Sequence, residues 1–136
     1  MVFQTEFSLE STKRGFHLIT HLIEQHLPKI EGDGILHVFV KHTSAGLTIN
    51  ENADPSVRID FEGFMNVLVP ENHQVYTHTY EGADDMPAHL KTSLIGSSLT
   101  IPISNGRINM GTWQGIYLCE YRNYGGPRRI VLTLYS

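Results

Sequence analysis

The residues best suited to chemistry fall into three runs. The first is His42-Thr43-Ser44-Ala45-Gly46-Leu47-Thr48-Ile49-Asn50-Glu51-Asn52-Ala53-Asp54, one imidazole followed by two amides and two carboxylates. The second, His78 to His89, carries a histidine at each end and Glu81, Asp84 and Asp85 between them. Three neutral imidazoles, His42, His78 and His89, suit a divalent ion with an open coordination position, zinc or a similar metal. Asp85 precedes His89 by four residues, so on a helix the two share a face and the carboxylate can fix the imidazole's tautomer. Glu51 is the candidate general base. Plainer roles stand beside these: Asp54 before Pro55 can cap a helix, Asn50 and Asn52 can close Asx turns, and acids in a first helical turn suit the helix dipole.

The third run is Gly111-Thr112-Trp113-Gln114-Gly115. Glycines on both sides of Trp113 suggest a bulge or a close backbone approach. Trp113 can line a pocket for a flat ligand with Gln114 bonding to it, or simply fill the core. Cys119 alternates with Tyr117 and Tyr121, the pattern of an inert buried thiol. The remaining histidines, His17, His21, His26, His37 and His73, have no acidic or histidine partner at a telling offset and read as surface or satisfied core residues.

The elements that must position these groups follow from periodicity and punctuation. Alternation over Phe3 to Leu9 gives a half-buried strand, and Phe16 to Ile19 a second short one. Thr20 caps a short helix ending at Leu27 before Pro28. Ile35 to Lys41 is a strand whose inward parity His42 shares with Leu36, Val38 and Val40. From there to Asp54 the chain reads as one loop. Asp54-Pro55 then starts a helix with Val57, Phe61, Phe64, Met65 and Leu68 on one face, and Pro70 stops it. A second helix begins near Asp84 or Asp85, carries Pro87 in its first turn and ends at Gly96. Asn105-Gly106 joins Ser98–Ser104 to Arg107–Met110 as a two-residue hairpin. Gly115–Tyr121 and Arg129–Tyr135 complete the set. The expected fold is α+β, a mostly antiparallel β-sheet sandwich with helices packed on one side, over a single domain spanning 1–136.

Composition bounds the function. With 136 residues, 40% hydrophobic and 18% charged, the chain can bury one core. A formal charge of −4 argues against the basic surface that nucleic-acid binding needs. Arg128 and Arg129 sit together and read as a solvated strand end. One cysteine excludes an intrachain disulfide and fits a reducing compartment. No secretory signal and no run of ~20 apolar residues is visible, so a cytoplasmic protein without membrane contact is expected.

The runs HTSAGLTINENADP, EGADDMPAHLKTSLIGSSLTIPISNGR and GTWQGIYLCE resemble those of the YjbQ family of small bacterial and archaeal proteins. The likeness extends over most of the chain from residue 35 onward, and motifs of this length and order are specific. It implies one α+β domain that assembles as a homotrimer around a polar cavity. Carried over residue by residue, the cavity uses His42, Asn50, Glu51, Asn52, His78, Asp85, His89 and Cys119, with Trp113 and Gln114 part of the signature. The expected roles are metal ligation by His42, His78 and His89, catalysis by Glu51, Asp85, His89 and Cys119, and substrate binding by Asn50, Asn52, Trp113 and Gln114. The metal would be zinc or magnesium and the partner a small phosphorylated molecule. The implied activity is a weak thiamine-phosphate synthase reaction, secondary to another role. The (β/α)8 barrel that dedicated enzymes use needs ~250 residues, more than this chain has. The alternative is a non-catalytic trimeric module holding a small anion or metabolite.

Overall fold

The computed structural model describes residues 1–136, in the order β1 (Val2–Leu9), β2 (Gly15–Leu18), α1 (Thr20–Gln25), β3 (Gly34–Val40), β4 (Ala45–Glu51), α2 (Pro55–Leu68), α3 (Asp85–Ile95), β5 (Ser98–Ser104), β6 (Arg107–Ile108), β7 (Gln114–Glu120) and β8 (Arg128–Tyr135). A five-stranded sheet has the order β1-β8-β3-β5-β6, and a three-stranded sheet the order β2-β7-β4. Every pairing is antiparallel. All three helices pack on the strands of the smaller sheet, giving the α+β sandwich expected of the sequence. No helix is long and apolar enough to cross a membrane.

Alternation explains the layers. Leu36, Val38 and Val40 of β3, with Ile130, Leu132 and Leu134 of β8, meet Leu47, Ile116 and Leu118 of the smaller sheet in the main core. The opposite face of β7 places Tyr117 and Cys119 with Phe16, Met65, Ala88 and Tyr121 in a second core beneath the helices. Strand β7 is therefore buried on both faces.

Local chemistry fixes the boundaries. Asp54 accepts Ser56 N at 2.9 Å and caps α2, with Pro55 at its first position. Asn105 and Gly106 adopt φ of 51° and 79°, as a type I′ hairpin requires. Thr20 does not cap α1: the N-cap is Ile19, and the Thr20 hydroxyl instead accepts Ile116 N at 2.9 Å.

Three further expectations change. The run after His42 is not one loop, because Ala45–Glu51 forms β4, paired with β7 from Ala45↔Glu120 to Glu51↔Gln114. Of the apolar stripe on α2, Met65 is buried but Phe64 and Leu68 are 66% and 56% exposed. Arg128 is not a solvated strand end: it is buried and forms a bidentate pair with buried Glu120 at 2.7 and 2.6 Å. Arg129 does face outward, where it meets Glu6.

Candidate functional site

The segment between α2 and α3 carries His78 back against the first turn of α3. There one ring nitrogen of His78, one of His89 and a carboxylate oxygen of Asp85 all lie within 4.8 Å of one another. Asp85 Oδ2 is 2.6 Å from His78 and 3.1 Å from His89. The other oxygen, Oδ1, pairs with Arg122 Nη1 at 2.9 Å. The carboxylate is buried, while its two imidazole neighbours are partly open to solvent. Burial pushes the Asp85 carboxyl up, but the His78 hydrogen bond, the charges of His89 and Arg122 and the His89 hydrogen bond outweigh it. The group is held below the ordinary carboxylate value.

His89 is oriented from its other side. Its Nδ1 lies 2.8 Å from the Thr43 carbonyl, which can only accept, so Nδ1 carries the proton. In the neutral ring, Nε2 then presents a lone pair toward a carboxylate oxygen 3.1 Å away. Two lone pairs at that distance repel unless a proton or a cation lies between them. The donor set fits a cation: three ligands at ~2.0–2.1 Å in tetrahedral array stand about 3.3 Å apart. The His89–Asp85 separation is close to that, and the His78–Asp85 separation would need to open by ~0.7 Å.

His42 stands outside this group, and hydrogen bonding explains why. Its Nε2 accepts the backbone N–H of Arg129 at 2.9 Å, so that lone pair is engaged and the neutral ring carries its proton on Nδ1. The position expected for a third imidazole belongs to Asp85. His42 and His89 do border one polar cleft, with Thr43, Thr92, Ser93 and Ser97.

Glu51, Asn50, Trp113 and Gln114 meet elsewhere, around an open cleft of about 570 Å³ shared with Ile49 and Ala53. Strand β4 separates the two places. The triad is tied to its Ala45 end through Thr43, and Glu51 is at the other end. At a rise of ~3.3 Å per residue the strand puts about 20 Å between them. Glu51 therefore cannot serve as a base for a group held by His78, Asp85 and His89 of the same chain. Its Oε2 faces Asp54 N at 3.3 Å. Asn52 donates to the carbonyls of Thr112 and Gln114, and Gln114 Oε1 accepts Gly111 N, so both hold the turn that presents Trp113. Trp113 is 65% exposed rather than in the core.

Cys119 is fully buried in the second core, not in a cavity. Burial pushes its thiol up to about 12, and the Glu62 carboxylate adds to this. A thiol so held is no nucleophile near neutral pH. Arg122 is the functional neighbour that sequence reading missed. Nothing in the local pattern after β7 points it at Asp84 and Asp85; only the fold does.

Residues 5–136 match the family model described as UPF0047 protein YjbQ-like. The chain is 51% identical to the UPF0047 protein YjbQ of Escherichia coli O157:H7, over 98% of each chain. It is 39% identical to the UPF0047 protein YugU of Bacillus subtilis, over 88% of each. A solved structure from Clostridium acetobutylicum, an uncharacterized conserved protein of the yjbq/upf0047 family, superposes with a TM-score of 0.82 at 38% identity, covering 96% of this chain and 99% of that one. A protein of unknown function from Sulfolobus solfataricus, described as YbjQ-like, gives a TM-score of 0.88 at 23% identity over 98% of this chain and 96% of that one, a likeness of fold.

Proposed function

Starting from the fact that this chain belongs to the YjbQ-like UPF0047 family, we propose that it is a divalent-metal protein acting on a small phosphorylated molecule. The observation that carries this reading is the convergence of His78, Asp85 and His89 within 4.8 Å. Two fixed partners add to it: Thr43 sets the tautomer of His89, and Arg122 anchors the far oxygen of Asp85. Holding ligands from outside in this way preserves their geometry and basicity. Two nitrogens and one oxygen favour zinc over magnesium, which prefers oxygen donors. When bound, such an ion supplies charge neutralisation for a phosphoryl or diphosphate group.

The thiamine-phosphate synthase reaction is the proposed secondary activity. In it a pyrimidine-methyl diphosphate joins a thiazole phosphate: the methylene–oxygen bond to diphosphate breaks, the diphosphate leaves with the electron pair, and the thiazole nitrogen forms the new carbon–nitrogen bond. No proton moves and no protein nucleophile is required, which accords with a triad that lacks help from Glu51 or Cys119. The chain's own part is to hold the leaving group and exclude its return. A homotrimer in the cytoplasm is the proposed state. Ile59, Phe64, Val67 and Leu68 on α2 form an uncovered apolar stripe of the kind that subunit contact buries.

Elemental analysis of purified protein, paired with His89→Ala, tests the reading. Zinc near one per chain, lost together with turnover in the variant, supports it. Retained zinc with full turnover removes it.

The second reading, a non-catalytic trimeric module for a small anion or metabolite, draws on the same ~20 Å separation of Glu51 from the triad. It expects ligand-dependent thermal stabilisation without product. Steady pyrophosphate release at a useful rate would exclude it.

A further inference from the structure

The cleft at the far end of β4 has a chemistry of its own. Its lining is Ile49, Asn50, Glu51, Ala53, Trp113 and Gln114, and Glu51 is the one charged side chain among them. Trp113, the only tryptophan of the chain, stands 65% exposed on the turn before β7. That turn is fixed. The backbone N–H of Asn52 donates to the Trp113 carbonyl at 2.9 Å, and its side-chain amide donates to the carbonyls of Thr112 and Gln114. Gln114 closes the turn from the other side: Oε1 accepts Gly111 N at 2.8 Å, and Gln114 N donates to the Gly111 carbonyl at 3.0 Å. A Cβ on Gly115 would meet Leu18 Cδ1 at 2.5 Å and Asn52 Cβ at 3.0 Å, so only glycine lets the turn lie this close. Holding an indole rigidly in water gains the fold nothing, but it spares a ligand the entropy of ordering its platform.

We infer that this cleft is a second site, one that takes an amino-bearing nucleobase of the cytosine or adenine type, free or as its nucleoside. Glu51 and Gln114 are directly opposed in the β4–β7 register, so their side chains leave the sheet on the same face. The two present one acceptor beside one donor. Glu51 Oε2 faces Asp54 N, while Oε1 takes no hydrogen bond within the protein and is open to solvent. Because Gly111 N engages Gln114 Oε1, the free end of that amide is Nε2, which can only donate. An amino group next to an unprotonated ring nitrogen is the complement: the amine donates to the carboxylate, and the ring nitrogen accepts from the amide. Uracil and hypoxanthine carry the reverse pair on that edge, a carbonyl next to an N–H, and set oxygen against carboxylate. The face of the ring stacks on Trp113.

Charge limits the rest of the ligand. Asp54 adjoins Glu51, and both carboxylates repel a phosphate at this end of β4. Arg58 lies over the Tyr117 ring and lines the small cavity behind Asn50 and Glu51, not the cleft. A base or nucleoside therefore fits where a nucleotide does not. The cleft lies about 20 Å along β4 from the triad, so the inference stands without the metal reading.

Two nucleoside pairs, cytidine with uridine and adenosine with inosine, are titrated by calorimetry into zinc-loaded and into EDTA-treated protein. Cytidine and adenosine should saturate equally in both preparations, at least about tenfold tighter than their carbonyl counterparts. For cytidine, quenching of the single tryptophan should follow the same curve. Glu51→Gln, whose amide can donate as well as accept, should erase the preference within each pair. Trp113→Ala, at an exposed position, should weaken cytidine about tenfold or more. Equal affinity within both pairs in the wild type, or no saturation by either amino nucleoside, overturns the assignment. Loss of subunit association in Trp113→Ala without nucleoside binding in the wild type also overturns it and makes the turn a subunit contact. Cytidine binding in protein that takes up no zinc upholds this site and removes the metal reading alone.

Discussion

Arg122 Nη1 sits 2.9 Å from Asp85 Oδ1, so the carboxylate that faces both imidazoles is held from behind by a guanidinium. The same guanidinium reaches Asp84 at 3.4 Å and the Glu81 carbonyl at 2.8 Å. One side chain from the end of β7 thus fixes the start of α3 and aims Asp85 Oδ2. Arg122→Gln keeps hydrogen-bonding capacity but loses the charge and the fork. Zinc affinity should fall by about 10–100-fold, the usual cost of losing a partner that orients a ligand. Competition with a chelating dye measures it, and unchanged affinity would show that Asp85 needs no anchor.

Much of this arrangement was legible in the sequence, and the failures have physical causes. Asp54-Pro55, Asp85 to Gly96 and Asn105-Gly106 carry local instructions, and the structure obeys them. The four-residue spacing of Asp85 and His89 likewise needs only a helix. Strand β4 was hidden because Gly46 and the Asn50-Glu51-Asn52 run look like loop chemistry, although Leu47 and Ile49 alternate with Thr48 and Asn50. That single omission placed Glu51 beside His42, when a strand holds them apart. His78 and Arg122 reach Asp85 across the fold, and no periodicity encodes such a contact. The stripe on α2 marks an apolar face, but a pattern does not say whether the chain or a partner covers it.

Cys119 should behave as a silent thiol. Burial pushes it up to about 12, leaving almost no thiolate at pH ~8. Iodoacetamide should label the denatured chain at least ~100-fold faster than the native one. Comparable rates would place the thiol within reach of solvent and reopen a catalytic role.

The Arg128–Glu120 pair should be costly to break. Both side chains are buried, and Arg128 also donates to the carbonyl and hydroxyl of Ser44. Glu120→Ala leaves the guanidinium without a counter-charge and should destabilise the fold by about 3–5 kcal/mol. Chemical denaturation measures the loss. A change below ~1 kcal/mol would mean that water reaches Arg128 freely.

His42 gives the stability a pH dependence of predictable sign. Its pKa is held below the ordinary 6.5, first by burial, then by the charge of Arg128, with Lys41 and Arg129 adding and Glu120 opposing. As pH falls, the unfolded chain takes the proton before the folded one does. The contribution is complete above the unfolded value and is lost as the pH drops through the folded one. His42→Gln cannot titrate there, so the gap between the melting temperatures of wild type and variant should narrow from about pH 7.5 to about pH 5. A constant gap would show that His42 is not the group responsible.

Two glycines test how the end of α3 is held. Gly46 of β4 lies under the C-cap: Leu47 N donates to the Gly96 carbonyl at 3.0 Å, and a Cβ on Gly46 would meet that oxygen at 2.8 Å. Gly46→Ala must push the helix terminus away from the strand, and the shift passes to His89, whose bond to the Thr43 carbonyl bridges the same junction. Overpacking of this kind costs ~1–3 kcal/mol, and zinc affinity should fall with the melting temperature. Gly63, inside α2, has nothing within 4 Å of such a Cβ. Gly63→Ala lies on α2, away from the β4–α3 junction, and should leave zinc binding alone. Equal effects from the two substitutions on zinc affinity would sever the proposed link between the β4–α3 junction and the triad.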